Sequence, residues 1–200
     1  MSLFDKTKAA EAENFLDLSL TYAANGTVAV VAFNRPKKVN ALSYAHFDEL
    51  KRCCEYLGRV GSDVRAVVLT GKGKHFTAGL DLTAATGLME SVGDDPARSA
   101  FSLVSTVRKL QDAVSSLEHL RVPVIAAIHG FCIGAGVDLT SACDIRLCAK
   151  GTKFSIKEVD IALAADIGTL QRFQKVVSND SWTRELAYTA RFFDPAEALQ

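Results

Sequence analysis

Short runs of β-branched and apolar residues alternate along this chain with longer segments of helical periodicity, and few architectures accommodate that order. Strands are predicted at Thr27–Phe33, Ala66–Thr70 and Val122–Ile128, where apolar residues dominate. Helices are predicted around the apolar positions from Phe47 to Leu57 and along Ser99–His119. Strands that alternate with helices are typical of an α/β architecture with mainly parallel pairing.

A β-hairpin is predicted near the start of the chain. Leu16–Tyr22 alternates apolar and polar residues, as a half-buried strand does, and Asn25-Gly26 is a favourable turn before the next strand. Further short strands are predicted at Asp144–Ala149 and Phe154–Ile156, and a further helix at Ser181–Ala190. The 200 residues, of which 48% are hydrophobic, suffice for one core, so a single domain spanning the whole chain is expected.

Composition argues against several classes of partner and site. The 23 basic and 23 acidic side chains give a formal net charge of zero and form no basic block, so nucleic acid is not expected as a partner. The five cysteines form no C-x-x-C pair, which disfavours a disulfide framework or a zinc site and favours a reducing compartment. No apolar run approaches the roughly 18 residues that span a bilayer, so a soluble protein with no membrane partner is predicted.

Two glycine-containing loops that follow predicted strands are the first candidates for chemistry. His75–Leu82 comes after the strand at Ala66–Thr70, and Gly130–Leu139 comes after the strand at Val122–Ile128. Small residues let backbone N–H groups approach a ligand closely, so two adjacent loops of this kind could hold one developing oxyanion. Neither loop completes G-x-G-x-x-G or a phosphate-binding P-loop, and each alone is also consistent with a tight strand-to-helix turn.

Three carboxylates at or beyond the second loop are candidates for proton transfer. Asp138 ends that loop, Glu158 lies in the segment KEVD and Asp166 lies in ALAADIG. A carboxyl group among apolar neighbours has a raised pKa, which suits it to proton exchange near neutrality. The alternative is structural, in which Asp166 caps a helix or turn and Glu158 pairs with Lys157 or Arg172.

Four segments in a fixed order resemble the core of the enoyl-CoA hydratase/isomerase (crotonase) superfamily. They are NRPKKVNAL, FTAGLDL, IHGFCIGAGVDLTSACDIRLCA and FSIKEVDIALAADIGTLQR. Each segment alone is a weak signal, but the ordered set is specific and covers the chain from about Leu16 onwards. The resemblance implies an α/β fold of the crotonase type, a spiral of ββα units shared with ClpP.

The resemblance also implies roles for residues of the two loops. The backbone N–H groups of Ala78 and Ala135 would form the oxyanion hole for a coenzyme A thioester. The residues expected to bind the acyl-CoA substrate are Ala78, Gly79, Leu80, Asp81, Leu82 and Ala135. No metal and no cofactor is implied, because coenzyme A arrives as part of the substrate.

The three acids distinguish between subfamilies. Hydratases of the superfamily resemble the chain at Glu158 but have glutamate at position 138 and glycine at position 166. Asp138, Glu158 and Asp166 together resemble the Δ3,5-Δ2,4-dienoyl-CoA isomerases, which implies a 1,5-proton shift from 3,5-dienoyl-CoA to 2,4-dienoyl-CoA in fatty-acid β-oxidation. Glu158 would exchange the proton at carbon 2 and Asp166 the proton at carbon 6, or the reverse, with Asp138 as an orienting third acid.

The resemblance bears on assembly and compartment as well. Residues 195–200 look like the first turn of a helix, and relatives continue with C-terminal helices that help to form trimers and dimers of trimers. A truncated C-terminal region is therefore expected, with a homo-oligomer if that region is present. The compartment implied is a peroxisome-like organelle or the mitochondrion.

Several other functions stay open at this point. An enoyl-CoA hydratase or another acyl-CoA isomerase would share most of these motifs, and an inactive acyl-CoA-binding or interaction protein would share all of them. A serine protease of the related ClpP-like fold is disfavoured, because no serine lies in a nucleophile elbow and no histidine follows the acids in the chain.

Overall fold

The computed structural model describes residues 14–60, 63–83 and 95–199, and its largest element is a five-stranded sheet. Its strands, in spatial order, are β1 (Leu18–Ala23), β2 (Val28–Phe33), β3 (Ala66–Gly71), β4 (Val124–Ile128) and β6 (Ile145–Cys148). β1 pairs antiparallel with β2, and the remaining neighbours pair in parallel. Two short strands, β5 (Phe131–Ile133) and β7 (Lys153–Ser155), form a separate parallel pair.

Helices connect these strands and follow them in the chain. They are α1 (Tyr44–Val60), α2 (Pro96–Glu118), α3 (Ala135–Ser141), α4 (Thr169–Val177), α5 (Asp180–Thr189) and α6 (Pro195–Ala198). Short 3-10 turns occupy Ala24–Gly26, Pro36–Lys38 and Glu158–Ile161. The predicted α/β order with mainly parallel pairing is therefore confirmed.

The predicted hairpin is present, with Leu18 opposite Phe33 and Ala23 opposite Val28. β1 begins two residues later than the alternation from Leu16 predicts. The backbone N–H groups of residues 16–18 donate instead to the carboxylate of Glu49 on α1, at 2.9–3.0 Å. This side chain fastens the start of the sheet to the helix that covers it.

α1 buries the apolar face that its periodicity predicts. Phe47, Leu50, Cys54 and Leu57 are all buried, and the helix packs against α2. Burial of such a stripe supplies most of the stability of a helix in a folded protein.

α2 is the predicted helix, but only part of its predicted apolar face is covered. Leu110, Val114 and Leu117 in its C-terminal half are buried, whereas Phe101 is 82% exposed and Val104 is 51% exposed. The periodicity identifies a helix correctly. It does not report how far the neighbouring elements extend along that helix.

The segment predicted as a continuous glycine-rich loop, Gly130–Gly136, contains β5 and the start of α3. The sequence analysis predicts no helix at α4, although Leu170, Phe173 and Val177 recur there at helical spacing. A single cluster of buried apolar side chains joins these elements, from Leu18 in β1 to Phe193 before α6. Within the described ranges, no helix is both long and apolar enough to cross a bilayer.

Candidate active site

The first glycine-containing loop is fixed at both ends by hydrogen bonds from distant parts of the chain. The Thr77 N–H donates to the Phe131 carbonyl at 2.9 Å, and the Thr77 hydroxyl donates to the Asn40 carbonyl at 2.6 Å. The Asn40 side-chain amide donates to the carbonyls of Lys72 and His75 at 2.9 and 2.8 Å. The loop therefore has a defined backbone path into Gly79.

The two loops lie directly against each other, as predicted. Gly79 has a φ of +86°, and a Cβ atom added there would stand 2.7 Å from the carbonyl oxygen of Ile133 and 3.6 Å from the Ala135 nitrogen. Glycine is required at this position by both the backbone conformation and the close approach. The contact brings the backbone at Ala135 beside the backbone at Gly79.

The prediction that the Ala78 N–H contributes to an oxyanion hole is wrong. This N–H donates to the Val39 carbonyl at 2.9 Å and is not available to a ligand. In the same loop the N–H of Leu80 makes no hydrogen bond to a described residue. The residues before and after Leu80 are both hydrogen-bonded to the backbone of Leu42. The Ala135 N–H, predicted as the second donor, is likewise unpaired within the described part of the chain. Leu80 and Ala135 therefore each contribute a backbone amide that has no partner among the described residues.

Asp138 is fully buried on α3, and its Oδ1 accepts a hydrogen bond from the Thr169 N–H at the start of α4. Its Oδ2 is buried and has no hydrogen-bond partner among the described residues. Gly168 permits this contact, since a Cβ atom there would stand 2.7 Å from the Asp138 Cβ. Burial raises the pKa of the Asp138 carboxyl to about 6, although hydrogen bonding from Thr169 acts to lower it.

Glu158 opens the 3-10 turn after β7, and its carboxyl group lies against the second loop. Its Oε1 is 3.1 Å from the point where a Cβ atom on Gly134 would stand, next to the Ala135 amide. Its Oε2 is buried and has no hydrogen-bond partner in the described ranges. Burial, followed by the negative charge of Asp138, raises the pKa of Glu158 to about 8. Both influences favour the protonated form of Glu158 in the ligand-free protein.

Asp166 lies half-buried between the 3-10 turn and α4. Its backbone carbonyl accepts hydrogen bonds from the side-chain amides of Gln111 at 2.8 Å and Gln171 at 3.0 Å, while its carboxylate makes none to a described residue. Burial is the largest cause of the raised pKa of Asp138 and of Glu158, and the negative charge of Asp166 raises both pKa values further. The three predicted acids therefore form one electrostatic cluster.

The structural alternative for these acids does not hold. The N-cap of α4 is Gly168, and the side chain that caps its first amide is Asp138 rather than Asp166. The two cations considered as partners of Glu158 pair elsewhere, Lys157 with Asp160 at 2.7 Å and Arg172 with Glu118 at 2.6 Å.

Asp81 stabilises the first loop through hydrogen bonds of its side chain. Its carboxylate accepts hydrogen bonds from the Thr83 hydroxyl at 2.6 Å and from Arg35 at 3.0 Å. The hydrogen bond from Thr83, together with Arg35, holds the pKa of Asp81 below its usual range. Leu82, predicted beside it in the acyl-CoA site, is 56% exposed. Contacts of either side chain with substrate stay a prediction.

Sequence reasoning missed the residues that hold the site in place. Arg35 and Asn40 lie in the segment NRPKKVNAL, which contributed to the resemblance but received no structural role. Asn40 is fully buried with a φ of +53°, a conformation that asparagine tolerates better than most residues. An asparagine within a loop segment is a sequence signal for this backbone conformation. The pairing of Gly168 and Thr169 with Asp138 had no signal in the sequence.

Comparison with known proteins identifies similar sequences. The family model for enoyl-CoA hydratase/isomerase matches residues 23–200. A mitochondrial Delta(3,5)-Delta(2,4)-dienoyl-CoA isomerase of Mus musculus is 48% identical over 187 residues, which make up 93% of this chain and 57% of the mouse protein. A peroxisomal protein of the same name from Arabidopsis thaliana is 44% identical over 87% of this chain and 63% of its own length. The chain thus spans less than two thirds of either relative.

The structure also resembles solved structures. One is a crystal structure of a protein from Thermobifida fusca YX in complex with acetoacetyl-CoA, with a TM-score of 0.77 and 31% sequence identity. The match covers 98% of this chain and 72% of that one. A protein of similar sequence and fold therefore binds a coenzyme A thioester.

Proposed function

Because the chain belongs to the enoyl-CoA hydratase/isomerase family, we propose that it catalyses the isomerisation of 3,5-dienoyl-CoA to 2,4-dienoyl-CoA. The observation that carries the proposal is a cluster of three acids, two of them with raised pKa values, beside two unpaired backbone amides. The names of the mouse and Arabidopsis relatives support this reaction over others of the family.

The two unpaired amides supply the first part of the mechanism. Removal of a proton from carbon 2 leaves a dienolate whose negative charge is shared by the thioester oxygen. The N–H groups of Leu80 and Ala135 donate to that oxygen, and loss of one such donor typically costs about 2.7–4 kcal/mol of transition-state stabilisation. The oxygen requires two donors whose positions are fixed before the substrate binds. The close contact between Gly79 and Ile133 fixes the two loops that carry these donors.

Glu158 is positioned to exchange the proton at carbon 2. Its carboxyl group lies beside Gly134, the residue before the amide assigned to the thioester oxygen, and carbon 2 is the first carbon beyond that carbonyl. As a base, Glu158 must be ionised, so kcat/KM rises with pH through its pKa of about 8.

Asp166 is the second proton-exchanging acid in this proposal and donates at carbon 6. One proton is taken at carbon 2 and one is given at carbon 6. At the start of the reaction one carboxyl group of the pair must therefore be ionised and the other protonated. Asp138 orients the pair and contributes its charge. No metal or redox cofactor takes part in this scheme, because coenzyme A is carried by the substrate.

The proposal is tested by following diene absorbance after addition of a 3,5-dienoyl-CoA to the purified protein. Glu158→Gln and Asp166→Asn are each expected to lower kcat by about 10²–10⁴-fold, the usual contribution of a positioned acid or base. Asp160→Asn is the matched control, because Asp160 lies exposed on the same 3-10 turn and pairs with Lys157. Near-normal turnover in both acid variants would contradict the mechanism.

The same assay separates the other functions considered. Faster hydration of a 2-enoyl-CoA than isomerisation of the dienoyl substrate would identify a hydratase. Binding of acyl-CoA without turnover of either substrate would identify an inactive binding protein.

Compartment and assembly are extensions of the proposal. The relatives are named as mitochondrial in mouse and peroxisomal in Arabidopsis, so we propose one of these two organelles. A homo-oligomer, trimeric or hexameric, is the predicted state of the protein when the C-terminal region is present. Size-exclusion chromatography with light scattering measures it directly.

A further inference from the structure

We infer that Gln111 on α2 is a positioning residue for Asp166, the acid that donates a proton at carbon 6 in the proposed mechanism. Its side-chain amide fixes the backbone of residues 163–168, called here the Asp166 segment, and so sets where the carboxyl group stands. The effect of Gln111 on turnover rests on the proposed function. Its effect on the Asp166 segment rests only on the hydrogen bonds of the folded chain.

The Asp166 segment runs between the other two acids and is fixed to both of them at its ends. At one end the Leu163 N–H donates to the backbone carbonyl of Glu158 at 3.0 Å. At the other end the Thr169 N–H donates to the carboxylate of Asp138. Asp166 lies between these two points, so its position relative to the other acids depends on how the middle of the segment is held.

The middle of the Asp166 segment makes few backbone hydrogen bonds. No N–H group from residue 164 to residue 168 donates to a described residue. The carboxylate of Asp166 makes no hydrogen bond to a described residue either. Its backbone carbonyl, by contrast, has two partners. The hydrogen bonds that hold Asp166 itself are therefore made to this carbonyl.

The two partners of the Asp166 carbonyl come from different helices. The side-chain amide of Gln111 on α2 donates to it at 2.8 Å, and that of Gln171 on α4 donates at 3.0 Å. Gln171 is exposed and lies five residues from Asp166, so its hydrogen bond is local. Gln111 is half-buried and lies 55 residues away, so its hydrogen bond connects the Asp166 segment to a separate part of the fold.

The part of α2 that carries Gln111 is packed into the core. Leu110, Ala113 and Val114, which surround it in the helix, are all buried. Side chains on a helix that is fixed by packing hold a site more precisely than side chains on loops do. The hydrogen bond from Gln111 therefore fixes the Asp166 carbonyl to the core of the protein.

The position of Asp166 affects one of the two proton exchanges in the proposed reaction. Once the proton at carbon 2 has left, the dienolate forms product if it is protonated at carbon 6. It returns to substrate if it is protonated at carbon 2 again. A displaced Asp166 slows the first of these steps and not the second, and a misplacement of about 1 Å can cost about 10²-fold in rate.

A purely structural role, in which Gln111 only holds α2 against its neighbours, makes a different prediction. A general loss of order slows both proton exchanges together. Glu118→Gln is the matched control, because Glu118 lies on the same helix and pairs with Arg172 on α4 at 2.6 Å. Its substitution weakens the contact between the two helices but removes no hydrogen bond to Asp166.

The first test follows the reaction of a 3,5-dienoyl-CoA in deuterium oxide. Diene absorbance measures the product, and mass spectrometry measures the deuterium gained at carbon 2 of the remaining substrate. Gln111→Met should lower kcat by about 10–10²-fold and raise the ratio of carbon-2 exchange to product by a similar factor. Glu118→Gln should leave this ratio at the value of the unmodified protein.

The second test needs no substrate. Order parameters from ¹⁵N relaxation are about 0.85 for rigid backbone and below about 0.6 for flexible backbone. Those of residues 164–168 should fall towards the flexible range in Gln111→Met and stay unchanged in Glu118→Gln.

An unchanged exchange ratio in Gln111→Met, or an equal rise in Gln111→Met and Glu118→Gln, would overturn the inference. If Gln111→Met does not fold, Gln111→Leu, which also lacks the donor, is measured by the same two methods. A protein that does not isomerise the dienoyl-CoA contradicts the proposed function, and the order parameters then decide the inference on their own.

Discussion

Asp138 combines two roles within one fully buried side chain. One oxygen caps the first amide of α4, which is a structural role, and the other is unpaired beside two further acids. Because the capping bond holds the carboxyl group in place, its charge acts on Glu158 from a fixed position. Burial is the larger cause of the raised pKa of Glu158, and the charge of Asp138, which need not touch the substrate, raises it further.

This arrangement predicts the effect of Asp138→Asn on the pH profile. The side-chain amide oxygen that the substitution introduces can still accept from Thr169, but the negative charge that raises the pKa of Glu158 is lost. The rising limb of kcat/KM, expected near pH 8 in the unmodified protein, should move to lower pH. Steady-state kinetics between pH 5 and 9 measure it, and a limb that stays in place or moves upward would show that Asp138 does not act through its charge.

Gly79 permits a second prediction at the scale of a single residue. Gly79→Ala should lower kcat/KM by about 10²-fold or more, because a Cβ atom only 2.7 Å from the Ile133 carbonyl must push the two loops apart. Gly151→Ala is the matched control, since Gly151 has nearly the same φ, +85°, but no atom within 4 Å of the added Cβ. Both variants carry the strain of a positive φ, so comparable kinetics in the two would mean that the contact between loops does not position the amides.

At the scale of elements, α2 divides into two halves with different surroundings. Its C-terminal half buries Leu110, Val114 and Leu117 and presents Ser115 and Glu118 to Arg172. Its N-terminal half presents Phe101 and Val104 to the surface of this chain. The half that contacts Asp166 and Arg172 is thus also the half that belongs to the core.

Unfolding measurements should separate the two halves of α2. Leu117→Ala is expected to lower the free energy of unfolding by about 2–5 kcal/mol, because it leaves a cavity at a side chain that is 2% exposed. Phe101→Ala should change it by less than about 0.5 kcal/mol, as is usual at the surface. Urea titration followed by circular dichroism gives both values. A large loss for Phe101→Ala would indicate that another surface covers the N-terminal half.

At the scale of the whole molecule, the family match confirms the predicted crotonase-like α/β fold. In that fold Asp138 and Glu158 come from separate segments, and burial raises the pKa of both. Burying acids in this way links the stability of the protein to pH. A carboxyl group whose pKa is raised by folding binds its proton more tightly in the native state, so its contribution to stability declines as pH rises through the folded-state pKa.

The sign of this linkage can be measured. Glu158 has an ordinary pKa of 4.5 and a folded-state value of about 8, so between these values it should lower the free energy of unfolding as pH increases. The slope from one group cannot exceed about 1.4 kcal/mol per pH unit. Chemical denaturation from pH 5 to 8 should show a steeper decline for the unmodified protein than for Glu158→Gln, in which the site is always neutral. Parallel curves for the two proteins would mean that folding does not perturb Glu158.

Local features of the sequence sufficed to predict most of the elements and the three acids. The β-branched runs, the periodicity of α1 and the Asn25-Gly26 turn are encoded by neighbouring residues, so they can be read without the fold. The candidate acids follow from residue type and apolar context in the same way. The exposed half of α2 is not predicted correctly, because burial depends on distant elements. The short helix α4 is missed although its apolar residues recur at helical spacing.

The availability of each functional group was decided only by tertiary structure. The Ala78 amide is paired because Val39, far away in the sequence, places its carbonyl within 2.9 Å, whereas the Leu80 amide has no partner among the described residues. The raised pKa of Glu158 likewise depends on burial and on Asp138, which the sequence places 20 residues away. A sequence specifies which groups exist and what local structure they favour. Hydrogen-bond partners and desolvation arise from contacts between distant segments, so only the folded chain determines which amides stay free and which acids keep their protons.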